Sequence, residues 1–485
     1  MTMSRVAGLC LVAVLVSGCQ ASERVTDHAI PTPTASADLR RGLSEPVRDP
    51  LYPAYGNPDL DVLHYDLDLT WSPSDRRLSG EATVTLRAAR QINRIQLDFS
   101  DALTVRRATV DGVAVTPRVN HHDLVLPLAE PVPADSQVTV TVAYQGTPKP
   151  VPMPSRRGDF RDGLGLRTES DGAIWTMQEP YGAFTWYPVN DHPSDEALYD
   201  ITVTVPKGWA AVASGQFAGA TPSSDGTRYR WVALDPVGSY VTTLAVDRFA
   251  SQVQTVDGIV MSYWVPEEYD DHQLAAMRRT PEILDWLSER LGPYPFPAVG
   301  AVAVDSVSAM ETQQMVTMGG KIGLGEDPAA AEQIFTQVLV HEYAHQYFGN
   351  AVSPKDWRAV WLNEGFATYF EALWVIEHGD ATEDEYFARL RERDTRARSQ
   401  AGPPGDYDPK RFAESNIYVG PALMLHEIRE TVGDDVFFGL CREWVQRHLH
   451  GHVDRESFTR FVTDYTGQDL TAIIDAWLDS PTTPR

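Results

Sequence analysis

The chain has 485 residues, of which 43% are apolar, and a formal net charge of −26. That length allows two or more hydrophobic cores. The acidic balance disfavours nucleic acid and anionic membrane as partners, while it suits cationic ligands such as peptide amines.

The first segment reads as a processing signal. Arg5 precedes an apolar run over 6–16 that is too short for a stop-transfer helix. The tetrad Val16-Ser17-Gly18-Cys19 then resembles the lipobox of bacterial lipoproteins. This implies cleavage after residue 18, acylation of Cys19 and an extracytoplasmic protein anchored to the membrane of the cell envelope. The alternative is an ordinary secretory signal, 1–19, with an incidental cysteine and a secreted product. Cys10 leaves with the signal and Cys19 is consumed by lipid, so Cys441 has no disulfide partner and reads as a small core residue. Residues 20–50, rich in Pro, Thr, Ala and Ser, read as a flexible linker.

From 51 to 252 apolar residues recur with period two, as at Leu63, Tyr65, Leu67 and Leu69, at Ala82, Val84 and Leu86, and at Val138, Val140 and Val142. Turn signals such as Asp111-Gly112 separate the runs, which predicts an N-terminal antiparallel β domain. From 253 to 485 the period becomes helical. Thr280 with Pro281 opens a helix whose stripe is Ile283, Leu284, Leu287 and Leu291. Asp327-Pro328 opens a second, expected to reach Gly349-Asn350. A third covers about 358–378, and more follow from about 420.

The second helix carries His341-Glu342-Tyr343-Ala344-His345. Histidines at i and i+4 share one face, close enough to hold one Zn²⁺, and Ile334 and Val338 place them on what reads as the buried stripe. Glu364 follows nineteen residues after His345 on the next helix. A short connection packs the two helices antiparallel, so Glu364 can supply a third ligand. Three protein ligands leave one position open, the arrangement of a catalytic zinc. Glu342 is rotated about 100° from its neighbouring ligand. It stands beside the ion without binding it, placed to take a proton from water there and return it to a leaving amine. The competing reading is a pair of satisfied core histidines.

The run from His341 through Gln346-Tyr-Phe-Gly-Asn350, with Trp361-Leu-Asn-Glu364-Gly-Phe-Ala-Thr-Tyr-Phe-Glu371, resembles the gluzincin zinc aminopeptidases, the family of aminopeptidase N and the leukotriene hydrolase. The resemblance covers roughly 55–480. It implies a multidomain α+β chain, with a saddle-like N-terminal β domain and then a thermolysin-like, mainly helical catalytic domain. It also implies His341, His345 and Glu364 as zinc ligands and Glu342 as general base. The family's exopeptidase signature is matched by Ser308-Ala309-Met310-Glu311-Thr312, with Ser308 and Thr312 departing from it. Glu311 then binds the α-ammonium of the substrate, a carboxylate that measures one residue from the metal. Glu179, twelve residues before Asp191 in Asp191-His192-Pro193, matches the second amine-binding acid. Met177 stands where the family often has glutamine, and Gln178 sits beside it. A capping role is the alternative for Glu179. Tyr418, aligned through Leu425-His426, matches the tyrosine that stabilises the tetrahedral oxyanion. Gly420 and Pro421 replace that tyrosine's usual basic-glycine pair. Many relatives add a large helical domain over the site. The chain runs only a little past its catalytic helices, so a more open cleft that accepts longer peptides is expected.

These readings converge on an envelope-anchored zinc aminopeptidase that acts on peptides with a free N-terminus. Two alternatives remain: a thermolysin-type endopeptidase, which needs neither Glu311 nor Glu179, and a catalytically inactive relative that serves as a surface binding module.

Overall fold

The computed structural model describes residues 38–485 apart from 161, 162, 268, 270 and 380. The signal, Cys10 and Cys19 lie outside the described residues. Residues 38–50 do not continue the expected linker. Asp49 is buried and accepts from the amides of Leu51, Tyr52 and Trp357. Ser44 donates its amide to Asp61, and Arg41 pairs with Asp235. Polar residues that read as solvated tether here satisfy buried partners of the domains behind them.

The period-two runs form an eight-stranded sheet, and Leu60–Ser72 lies inside it between Arg77–Ala88 and Glu196–Val205. Leu63, Tyr65, Leu67 and Leu69 are all buried, as are Ala82, Val84, Leu86, Val138, Val140 and Val142. The sheet is antiparallel except where Leu60–Ser72 pairs in parallel with Glu196–Val205. At the predicted turn Asp111 and Gly112 both have positive φ, the conformation that a two-residue hairpin of this twist demands. A three-stranded and a four-stranded sheet complete the domain.

The change of period near 253 is not yet a change to helices. Phe249–Val256, Ile259–Pro266, Ala298–Val304 and Val316–Gly319 form a second four-stranded sheet, mixed in direction. Ala298–Val304 is buried along its whole length, so no alternation marks it as a strand. Nine helices follow among the described residues and interleave with that sheet: α1 (Asp271–Met277), α2 (Thr280–Leu291), α3 (Pro328–Ala344), α4 (Val360–Glu377), α5 (Glu383–Ala401), α6 (Asn416–Val432), α7 (Asp434–His448), α8 (Arg455–Thr466) and α9 (Thr471–Asp479). Cys441, the one cysteine among the described residues, is buried in α7.

Several boundaries move for physical reasons. Thr280 does not cap α2 from outside; its hydroxyl donates to the Met277 carbonyl and meets the Tyr343 hydroxyl. The α3 start is as read, with Asp327 accepting from the amides of Ala329 and Ala330. Its regular part stops at Ala344, and tight turns carry the chain to Asn350. The strongly charged α5 has too weak an apolar stripe to stand out in the sequence. Asn416 starts α6 a turn early by donating to the carbonyls of Ala401 and Gly402, so Pro421 sits inside the helix rather than in its first turn.

Candidate active site

α3 and α4 pack against each other and bring three ligand atoms to one point. His341 Nε2 and His345 Nε2 are 3.1 Å apart, and each lies 3.4 and 3.3 Å respectively from Glu364 Oε2. A tetrahedral zinc with bonds of about 2.0–2.1 Å holds its ligands about 3.3–3.4 Å from one another, so the triangle has the size of one face of that tetrahedron. The tautomers agree. His341 Nδ1 faces Glu371 at 3.0 Å and His345 Nδ1 faces the Phe348 carbonyl at 3.1 Å. A carbonyl only accepts, and a carboxylate accepts when ionised. Both Nδ1 atoms therefore carry the proton, and both Nε2 lone pairs point at Glu364. Glu364 Oε2 is buried without a hydrogen-bond partner. Burial raises the pKa of this carboxyl, and positive charge shared with the two imidazoles, a proton on Nε2 or a metal ion in its place, lowers it. Three converging electron pairs with nothing between them are costly unless a cation sits there, so the residues fit a zinc ion.

The stripe of α3 differs from the sequence reading in one respect. Phe335 and Leu339 face the core, while Ile334 is exposed and Val338 lines the cleft. The imidazoles thus face a cavity of about 660 Å³ rather than the interior.

Glu342, Glu311 and Glu179 open into the same cavity. Glu342, Glu311 and His345 each bring an atom within 4.8 Å of the others. Each of the three acids is buried and has one oxygen with no partner. Burial, and then the charges of Glu311, Glu364 and Glu342, push Glu179 well above the ordinary carboxylate range. Burial likewise raises Glu311. The backbone of Glu311 is clamped by the turns after α3, since Asn350 Nδ2 and Gln346 Nε2 donate to its carbonyl at 2.7 and 3.2 Å. Glu179 follows Gln178, whose amide donates to the carbonyls of Ser239 and Thr242 and accepts from Trp186. Gln178 is therefore a buried anchor, and Met177 is the side chain that reaches the cavity. Asp191 accepts from the Gly182 amide and the Ser239 hydroxyl, and so shapes the loop after Glu179. The Thr312 departure is remote from the cavity chemistry, because its hydroxyl is taken up by the Met315 carbonyl and Thr317.

Tyr418 lies in the first turn of α6, with its ring stacked 6.2 Å from that of His341. Two departures around it are steric. A Cβ on Gly420 would sit 2.7 Å from Arg398 and 2.9 Å from Asp394, and a Cβ on Gly365 would sit 2.4 Å from Pro421. Gly365 and Pro421 let α4 and α6 close together, which brings Glu364 and Tyr418 to one cleft.

Comparison with known proteins places this geometry in a family. The Peptidase M1 N-terminal domain matches residues 62–241, and the Peptidase family M1 domain matches 275–477. The chain belongs to peptidase family M1. Its M1 relatives include aminopeptidase N of Streptomyces lividans, 23% identical over 87% of this chain and 50% of that protein. Probable aminopeptidase 1 of Saccharolobus solfataricus is 26% identical over 65% of this chain and 42% of its own length. The chain thus spans about half the length of these curated relatives. The crystal structure of the M1 zinc metallopeptidase from Deinococcus radiodurans superposes with a TM-score of 0.80 at 27% identity, covering 90% of this chain and 97% of that one. A mutant of that M1 enzyme has been solved with a Tyr-Ser-Ala substrate bound.

The M1 motif also contains groups that the sequence reading quoted without assigning a role. Glu371, on which His341 rests, is seven residues after Glu364 and so two helical turns along the same face; that spacing was the available signal. Gln337 steadies it with a hydrogen bond to its other oxygen. Arg157 and Asp159, which also line the M1 cleft, come from a loop of the N-terminal domain without periodicity.

Proposed function

We propose that this M1 peptidase is a zinc-dependent aminopeptidase that removes the first residue of peptides with a free N-terminus. The observation that carries the reading is the pair Glu179 and Glu311, two buried carboxylates with unpartnered oxygens beside the ligand triangle. A substrate ammonium satisfies both, and a chain that continues past that point leaves them unpaired. The Tyr-Ser-Ala complex of the Deinococcus relative supports peptides as the substrate class.

His341, His345 and Glu364 would hold the zinc, which supplies a Lewis acid for the scissile carbonyl and acidifies a water. Glu342 accepts the proton of the attacking water and delivers it to the departing amine. Tyr418 donates its phenol proton in a hydrogen bond to the carbonyl oxygen as charge grows there. Glu311 and Glu179 accept from the α-ammonium, which fixes the first peptide bond at the ligand triangle. The test compares matched peptides with free and N-acetylated termini. The aminopeptidase reading expects cleavage of the free peptide alone, one residue at a time. Equal cleavage of both would leave a thermolysin-type endopeptidase, and no cleavage of either by the zinc-loaded protein would leave a binding module.

We infer further that Cys19 carries lipid and that the enzyme is an extracytoplasmic, membrane-anchored lipoprotein of the cell envelope. The lipobox Val16-Ser17-Gly18-Cys19 supports this. Metabolic palmitate labelling that disappears in Cys19→Ser is the expected result, and an unlabelled, freely secreted protein would contradict it.

A further inference from the structure

Arg157 belongs to the N-terminal domain, yet its guanidinium reaches the start of α6. Nε and Nη2 donate to the two oxygens of Asp159 at 3.2 and 2.6 Å. Nη1 donates to the Ala413 carbonyl at 2.8 Å and to the Tyr418 hydroxyl at 3.3 Å. Asp159 is steadied in turn by the Ser308 hydroxyl at 3.3 Å. The loop that carries Arg157 is tied to the chain ahead of α6 at two further points. The Phe412 amide donates to the Pro154 carbonyl at 2.8 Å, and the Arg156 amide donates to Glu414 at 3.3 Å. Arg157 and Asp159 line the cleft with Tyr418.

The donor–acceptor logic is directional. An arginine N–H cannot accept, so the phenol oxygen accepts from Arg157 and must donate its own proton elsewhere. A cation on the oxygen also polarises the O–H bond and makes it a stronger donor. No basic residue stands in the first turn of α6, which reads Asn416-Ile417-Tyr418-Val419-Gly420. The cation comes from the other domain.

We propose that Arg157, held by Asp159, is a positioning residue for Tyr418. It directs the phenol proton into the cleft and strengthens its bond to the charged oxygen formed during hydrolysis. This rests on the oxyanion role given to Tyr418 above. Arg157 contributes when that oxygen becomes negative and not when a product amino acid is held.

The test uses the zinc-loaded full chain as wild type, Tyr418→Phe, Arg157→Ala, Arg157→Lys and the Arg157→Ala/Tyr418→Phe double variant. Turnover of an unblocked peptide is measured beside calorimetric binding of a phosphinic dipeptide analogue and of a free amino acid. Tyr418→Phe should lower kcat by about 10²-fold. Arg157→Ala should lower it about tenfold with KM little changed, and should weaken the phosphinic analogue in proportion while amino-acid binding holds. The double variant should be no slower than Tyr418→Phe alone. Arg157→Lys, which keeps the charge but loses the fork, should recover part of the loss. It decides the matter if Arg157→Ala does not fold or retain zinc: a lysine variant as slow as Tyr418→Phe in turnover but equally weakened for the amino acid would overturn the proposal. So would additive losses in the double variant, or an Arg157→Ala enzyme with normal kcat beside a slow Tyr418→Phe. A Tyr418→Phe enzyme of normal kcat would instead overturn the role of Tyr418 itself.

Discussion

The two walls of the cleft are built by different means. One wall is α3, its C-cap and α4, where His341, Glu342, His345, Glu364 and Glu371 stand on two mutually packed helices. The other is made of loops: Glu311 before α3, Glu179 and Arg157 from the N-terminal domain. Each is fixed by partners distant in sequence, such as Asn350 for Glu311 and Ser239 for Gln178. Helices set atoms by local periodicity, whereas loops set them by long-range hydrogen bonds. On the proposed function, the helical wall holds the metal ligands and the general base, while Glu311 and Glu179 on the loop wall recognise the chain end.

Substitutions on the helical wall should be the most damaging. Glu342→Gln keeps the size and burial of the side chain but cannot take a proton, so kcat should fall by about 10²–10⁴-fold. Zinc content, measured by atomic absorption, should stay at one per chain. A variant that loses zinc along with activity would make Glu342 part of the metal-holding set and blur the division between the walls.

On the loop wall the expected loss is one of discrimination. Glu311→Gln removes a buried charge that faces an ammonium, a contact of about 2–3 kcal/mol, so kcat/KM for free peptides should fall by roughly 30–150-fold. Zinc affinity should be unchanged, and the preference over N-acetylated peptides should shrink by the same factor. A uniform loss on both substrates would show that Glu311 supports the helices rather than the chain end.

The same division explains what could be read in the sequence. His341, Glu342, His345 and Glu364 were legible because a spacing of four puts two histidines on one face and the next helix carries the acid, even though turns, a short strand and a 3-10 turn separate α3 from α4. The buried strand Ala298–Val304 and the charged α5 were not, since one lacks alternation and the other lacks an apolar stripe. Ile334 was misread as core because the sequence marks a stripe as apolar without saying whether it meets a neighbour or a cleft. Arg157 carried no local signal at all; its partner Tyr418 is 261 residues away.

A smaller effect separates holding the metal from using it. Glu371→Gln leaves His341 Nδ1 an amide oxygen in place of a carboxylate, so zinc should bind about 10–100-fold more weakly. Competition with a chelator measures this directly, while kcat at saturating zinc should move much less. A fall in kcat at full occupancy equal to that of Glu342→Gln would give Glu371 a role in proton transfer.

The least effect on catalysis is expected at the seam behind the two walls, where His192 of the N-terminal domain meets His452 just before α8. His192 is buried and His452 is half-buried, and desolvation lowers each pKa to about 4. For His192 the charge of Asp356 opposes the shift and that of His452 adds to it; the Glu196 carboxyl stands 3.8 Å from His452. His192 Nδ1 accepts from the Ser194 amide, so a proton on that atom breaks a buried hydrogen bond. A histidine whose folded pKa lies below its unfolded value near 6.5 stabilises the fold fully above that value, and its contribution is lost as pH falls toward 4. Each ring should cost about 2 kcal/mol of stability by pH 5 relative to pH 7.5. Thermal unfolding of wild type and His452→Gln across that range should therefore differ in slope, the variant losing about half of the acid sensitivity assigned to the pair. Parallel curves would mean that the seam opens to water before the rings titrate, and that the two walls are joined by the packing of the sheets and helices around them rather than by this pair.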